Sequence, residues 1–312
     1  MGTPGRPPSA TLPFLAVGNM SIDDLVFPDG STRWCVPGGN AVYAALGMAV
    51  WGERPGVLAV HGPDYPAASL ADRIDLAPAR RAPATLRNWG LYEQDGARQF
   101  IFRRFVQDPS AFYPDIGDLA RAVPGPCHLA PLPWARQDAL AAALRARGAT
   151  LLTADPDERD LAALSEDELR RLLRRLDAFL PSRQEAEALF PGADPASALR
   201  RLRALAPAVP VIALKLGAEG VMLHRAGDSE LLCVPAAAAA VVDTTGAGDA
   251  FCGGFLVGLA RTGDPVVAAR MGSVAASFAV EAVGHDGLRR ATAESAAARL
   301  AALGDRVGRR GF

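Results

Sequence analysis

Nine consecutive residues, Asp243-Thr244-Thr245-Gly246-Ala247-Gly248-Asp249-Ala250-Phe251, carry the strongest chemical signal in the chain. Gly246, Ala247 and Gly248 can turn sharply and present backbone N–H groups at the start of an apolar helix expected over 247–261. The first turn of a helix has donors without intrahelical partners and carries the positive end of the dipole, so it suits an anion. A phosphoryl group in transit is such an anion. Asp249 falls in the same first turn, where its carboxylate can face an acceptor hydroxyl, orient it and take its proton. Phosphoryl transfer is loose, the proton leaves late, and an ordinary ionised Asp serves as base. A bare Gly-x-Gly-Asp would more often be a tight turn whose acid complements the dipole. The full string gives the reading its weight.

Those residues need a scaffold. An apolar strand at 14–18 leads into polar residues at 21–24, and open α/β sheets present ligands beyond such strand ends. Pro37-Gly38-Gly39-Asn40 is turn chemistry followed by an Ala-rich helix at 41–50. Aromatic and β-branched residues flank Asp95-Gly96, which predicts a hairpin within 85–105. With a strand around Trp34, Cys35 and Val36 it would make a small sheet, a lid over the double glycine built from 31–37 and 85–105. From Cys127 the chain alternates: strands at 127–130, 150–155, 178–180 and 211–216, with helices at 133–147, 166–176, 184–189 and 196–205. Alternation of this kind makes a mostly parallel sheet covered by helices. A strand pair at 221–224 and 230–234 follows, then helices at 247–261 and 265–283, the second closed by Gly284.

Composition bounds the rest. The chain has 312 residues, half of them hydrophobic, enough for one large α/β domain over 12–312 behind a Pro-, Gly- and Ser-rich tail at 1–11 expected to be disordered. A formal net charge of −1 supplies no global basic field for nucleic acid. No run approaches a membrane span, and no apolar stretch in the tail makes a signal peptide, which places the chain in the cytoplasm. Cys35, Cys127, Cys233 and Cys252 are widely spaced and read as reduced thiols. A nicotinamide-dependent oxidoreductase is set aside for want of Gly-x-Gly-x-x-Gly after the first strand.

Nearly letter for letter, the nine-residue string resembles the C-terminal signature of the ribokinase/PfkB family of carbohydrate kinases. Gly38-Gly39 with the helix ending at Trp51-Gly52 resembles that family's N-terminal signature, Lys215-Leu216-Gly217-Ala218-Glu219-Gly220 its nucleotide segment, and Pro181-Ser182-Arg183-Gln184-Glu185 its Asn-x-x-Glu magnesium segment. The likeness runs from about residue 13 to about 290. It implies a ribokinase-like α/β fold, a central mostly parallel sheet between helices with a β lid. It also implies ATP and Mg2+ as cofactors and a small-molecule alcohol as acceptor, with Asp249 as base and Gly246, Ala247 and Gly248 as anion hole. By the same resemblance Asp23, Gly38, Gly39, Asn40 and Tyr43 face the acceptor. Lys215, Gly217, Gly220, Thr245, Gly246 and Gly248 face the nucleotide, Glu185 bears indirectly on magnesium, and 275–284 flanks adenine. Many members use a monovalent cation beside the anion loop, and some dimerise through the lid. Two residues depart from the family pattern. Tyr43 stands where Asn is usual, which reshapes the acceptor pocket and leaves sugar, inositol-like polyol and nucleoside open; Ser182 replaces the usual Asn near magnesium. A non-catalytic sugar- or nucleotide-binding protein of the same fold is the competing reading.

Overall fold

The computed structural model describes residues 14–94, 98–103, 109–122 and 125–312. Among these, nine strands form one sheet in the order Gly308–Gly311, Glu230–Val234, Val221–Arg225, Val211–Lys215, Ala178–Phe179, Leu151–Ala154, Pro126–Leu129, Leu15–Val17, Gly56–Leu58. The six from Val211–Lys215 to Gly56–Leu58 run parallel, and the outer three are antiparallel. The parallel strands read as short apolar runs because both their faces are covered. Leu15 and Val17 pack with Leu140, Leu144, Leu169 and Leu202 on one side, while Ala16 faces Leu46 and Leu256 on the other.

The second face is where the site is built. Helices Asn40–Ala49 and Ala247–Thr262 cross there with almost no side chain between them. A Cβ on Gly253 would lie 1.9 Å from the Ala44 carbonyl oxygen, and one on Gly47 2.3 Å from that of Ala250. Backbones in contact leave no slack, so the start of the later helix is fixed against the start of the earlier one.

A separate four-stranded sheet, ordered Thr32–Gly38, Ser21–Val26, Leu86–Tyr92, Arg98–Phe102, is the expected lid. Its hairpin pairs antiparallel as foreseen, with Tyr92 opposite Arg98. The Asp95-Gly96 turn, residues 104–105 and the tail at 1–11 lie outside the described residues. Residues 21–24 correct the sequence reading. They are not the polar end of a strand but the first four of the six residues of the lid strand Ser21–Val26, pairing with Thr32–Gly38 on one side and Leu86–Tyr92 on the other. Two adjacent acids hid it: Asp23 and Asp24 are both buried, one on each face, so no apolar alternation shows.

Two further expectations need correction. The helix from Pro265 ends at Ala279, not at 283, because the Val280 carbonyl leaves the helix to accept from Val242 and Asp243 N–H at 2.7 and 3.2 Å. Gly284 therefore caps nothing there; it lies in the turn before a short helix, Asp286–Arg290. Strands Gly56–Leu58 and Gly308–Gly311 were not foreseen, the latter being an exposed Gly-Arg-Arg-Gly edge without apolar pattern. No helix among the described residues is long and apolar enough to cross a membrane.

Candidate active site

The nine-residue string enters its helix through a left-handed residue. Gly246 is the N-cap, with φ 75° and ψ 0° and no side-chain cap, a conformation glycine reaches without cost. Asp249 occupies the first turn and is half-buried. Tyr43 lies against this loop: a Cβ on Gly246 would meet its ring at 2.2 Å. The phenol is buried, and burial, with the charges of Asp243 and Asp23 added, holds its pKa well above the ordinary value. Tyr43 thus stands between the anion loop and the lid.

Asp23 is on the lid's inner face. Its carboxylate accepts from Asn88 Nδ2 at 2.8 Å and from Ser21 Oγ at 3.1 Å. Burial pushes its pKa from the ordinary 3.8 to about 6, against the pull of those two hydrogen bonds. Gly38 closes in on the same carboxylate, since a Cβ there would be 2.4 Å from Asp23 Oδ2. Gly39, at φ 109°, leaves room for the backbone of Asn19 and Met20. Asn40 is committed to the scaffold: its Oδ1 accepts from Asn19 N–H at 2.8 Å and its Nδ2 donates to the Pro131 carbonyl at 2.7 Å. Asp24 faces away, ion-paired with Arg103 and accepting from Cys35 N–H at 2.8 Å.

The lid touches the anion loop directly. Tyr92 Oη is 2.5 Å from Thr245 Oγ1 and 3.3 Å from Asp243 Oδ1, and its ring packs on Phe27 at 4.9 Å between centroids. Thr245, expected at the nucleotide, therefore meets the lid.

In the segment expected at the nucleotide, Gly217 and Gly220 frame a short 3-10 turn in which Leu216 N–H donates to the Gly220 carbonyl at 2.8 Å. Gly220 packs against the end of strand Glu230–Val234, where a Cβ would lie 2.1 Å from the Val234 carbonyl oxygen. Lys215 does not reach outward. It is buried, ion-paired with Asp155, and its Nζ lies 3.6 Å from Cys252 Sγ. Burial opposes the Lys215 charge, but the Asp155 carboxylate outweighs it and holds the ammonium above its ordinary pKa. Glu185 reaches back to Ser182 N–H in a capping box at the head of its helix, and its charge is felt at both Asp155 and Lys215.

Sequence reasoning missed Asn88, a lone polar residue in a lid strand, and Asp155, whose only signal was its place before a proline at a strand end. Among the described residues no three metal-ligating side chains converge.

Residues 122–289, just over half the chain, match the model of the pfkB family carbohydrate kinases. A cytidine kinase from Thermococcus kodakarensis is 28% identical over 254 residues, spanning 80% of this chain and 89% of that protein. Adenosine kinase from Sinorhizobium meliloti superposes with a TM-score of 0.73 at 21% identity, covering 94% of this chain and all of that one. Arabidopsis thaliana ribokinase, solved with ribose and ATP, gives 0.70 at 20% identity, covering 93% and 99%.

Proposed function

The chain belongs to the pfkB family of carbohydrate kinases, a group whose chemistry is ATP-dependent phosphoryl transfer to an alcohol, and from that premise we propose that its acceptor is a nucleoside, with Asp249 as base. The observation that carries the mechanism is the Gly246–Gly248 turn, left-handed and uncapped, opening a helix whose first turn contains Asp249. Backbone N–H groups there hold the transferring phosphoryl group while the Asp249 carboxylate takes the acceptor proton. Asp23, Asn88 and the Gly38-Gly39 backbone orient the acceptor hydroxyls, and Tyr43 narrows the space between them and the loop. Lys215, Gly217, Gly220 and Gly248 lie on the nucleotide side; Mg2+, when bound with ATP, neutralises phosphate charge, with Glu185 acting through water.

The nucleoside reading rests on the lid. Phe27, Tyr92 and Phe100 form a run of aromatic contacts on the Asp23 side, a surface suited to the flat face of a base. It accords with the cytidine kinase likeness. ADP formation with MgATP across nucleosides, free sugars and polyols, run beside Asp249→Asn, tests both parts. Nucleoside-dependent turnover that the variant abolishes supports them; turnover with a free sugar alone removes the nucleoside, and full activity in the variant removes the base.

The lid's outer face is a candidate dimer surface. Arg103 lies over Trp89 at 5.3 Å, Trp34 meets Trp89 edge-on at 5.6 Å, and Trp34 is 58% exposed. Covering that indole with a second copy would bury apolar surface now in water. A monomer in sedimentation at working concentration would remove this reading. Free thiols at all four cysteines and the use of ATP suit a cytoplasmic enzyme.

A further inference from the structure

Two strands flank the one that carries Asp23, and both are rooted in a single short segment outside the lid. Strand Ser21–Val26 places Ser21 between Gly38 and Leu86, and Asp23 between Val36 and Asn88. The segment is Gly62-Pro63-Asp64-Tyr65, which follows strands Gly56–Leu58 and Val60–His61. Asp64 Oδ1 accepts from Thr85 N–H at 2.9 Å and from Thr85 Oγ1 at 2.7 Å, directly before strand Leu86–Tyr92, and its other oxygen lies 3.5 Å from Arg87. Gly62 N–H donates to Thr85 Oγ1 at 3.0 Å. Next in sequence, Tyr65 Oη donates to the Gly38 carbonyl at 3.1 Å, at the end of strand Thr32–Gly38.

Gly38-Gly39 is where the lid strand gives way to the helix Asn40–Ala49, and two consecutive glycines make the most pliable joint a backbone offers. Gly38 lies so close to Asp23 that a Cβ there would be 2.4 Å from Oδ2. A shift at this joint therefore moves backbone against the Asp23 carboxylate. Tyr65 is placed to prevent it. Its ring is buried, with His61 edge-on against it at 5.8 Å between centroids, and the segment is pressed onto the lid root at Gly62, where a Cβ would be 2.4 Å from the Ala84 backbone. A phenylalanine would fill the same space; the hydroxyl adds the bond to the Gly38 carbonyl. At the other root, Asn88 follows Thr85 by three residues, so what Asp64 holds at Thr85 is passed along the strand to the amide that donates to Asp23 at 2.8 Å. The one carboxylate is thus steadied from both sides.

We propose that Tyr65 is a positioning residue for acceptor binding: with Asp64 it ties the Gly38 joint and the start of strand Leu86–Tyr92 to one anchor, which fixes Gly38, Asp23 and Asn88 at the spacing that the acceptor hydroxyls require. The inference rests on the kinase reading above and adds to it a residue that touches neither acceptor nor nucleotide. It is independent of which alcohol binds. The anchor sets how well an acceptor is held, and the chemistry at Asp249 is left as it is.

The test is steady-state kinetics of the full chain with MgATP and whichever acceptor gives the fastest turnover, for the wild type, Tyr65→Phe, Thr85→Val and the double variant, each melted in parallel. Tyr65→Phe keeps the ring and loses the bond; it should raise KM for the acceptor about fivefold, with kcat within about twofold and KM for ATP unchanged. Thr85→Val keeps the side-chain shape and removes the hydroxyl at the other root, for a rise of about threefold, and it stands in should Tyr65→Phe not fold. The double variant should stay near the larger single effect, because two ties to one anchor do not act independently. An unmoved acceptor KM with a lower melting temperature reduces both residues to packing and overturns the inference. So does a double effect of about fifteenfold, the product expected of two separate contacts. Wild-type protein that binds ATP but turns over no acceptor would instead overturn the kinase reading on which the inference rests.

Discussion

The floor of the site and its lid are built on opposite principles. At the floor, glycine and alanine let two helix backbones touch, at Gly253 with Ala44 and at Gly47 with Ala250, and a glycine turn opens the helix whose first turn contains Asp249. In the lid, side chains do the work: Asp23 with Asn88 and Ser21 on one face, Asp24 with Arg103 on the other, aromatic rings along both. On the function proposed above, the floor serves any acceptor and the lid selects among acceptors. Backbone chemistry tolerates almost no substitution, whereas a side-chain surface can be rewritten residue by residue while the reaction is kept.

Four measurements sharpen or break that contrast. The largest effect belongs to the floor: Asp249→Asn should cut kcat by about 10³ or more at saturating acceptor, since an amide takes no proton. A loss under tenfold in single-turnover kinetics would mean that water or another group is the base. Next comes Gly246→Ala, which meets the Tyr43 ring and is strained at φ 75°. It should lose about 10²-fold in kcat, with partial recovery in a Tyr43→Ala background. No recovery would show that backbone strain, not the ring contact, sets the cost.

The lid should show itself in acceptor binding. Asp23 titrates near 6, so its carboxylate is lost as pH falls through that value. At pH 5 kcat/KM for the acceptor should be about tenfold below its neutral value, and Asp23→Asn should flatten that limb. The same shift has the opposite sign for stability. A carboxyl whose folded pKa lies above its unfolded one loses stability as pH rises from 3.8 to about 6, so Asp23→Asn should melt higher than wild type at neutral pH. The smallest effect is at the contact between the two regions: Tyr92→Phe removes the hydroxyl from Thr245 and should raise acceptor-free ATP hydrolysis about fivefold, in keeping with one hydrogen bond of roughly 1 kcal/mol. An unchanged hydrolysis rate would separate lid from floor.

The same division explains what the sequence disclosed. The floor is contiguous: nine residues hold the turn, the helix start and the proposed base, so the string resembles a family signature that suggested the chemistry. The alternation from Cys127 to Val234 likewise announced a parallel sheet, because strands covered on both faces are short apolar runs. The lid is assembled from segments more than sixty residues apart, as Asn88 on Asp23 shows, and no local pattern joins them. Its central strand was lost because Asp23 and Asp24 bury acids on both faces, each satisfied by a partner that only the fold supplies. Lys215 was read as reaching a phosphate through its segment; that it is clamped by Asp155 depends on the sheet order.

The glycine contact between the helices at Asn40–Ala49 and Ala247–Thr262 also sets a schedule for synthesis. The first helix leaves the ribosome some two hundred residues before its partner, with nine of its ten residues destined for burial. A contact of such long sequence separation forms late and closes a very long loop. Until then an Ala-rich apolar rod can pack only on the early strands, Leu15–Val17 among them, and a stalled chain holds the double glycine but not the 246–248 turn. An unfinished chain thus lacks the proposed phosphoryl site and leaves apolar surface of that helix in water, the condition under which nascent chains aggregate.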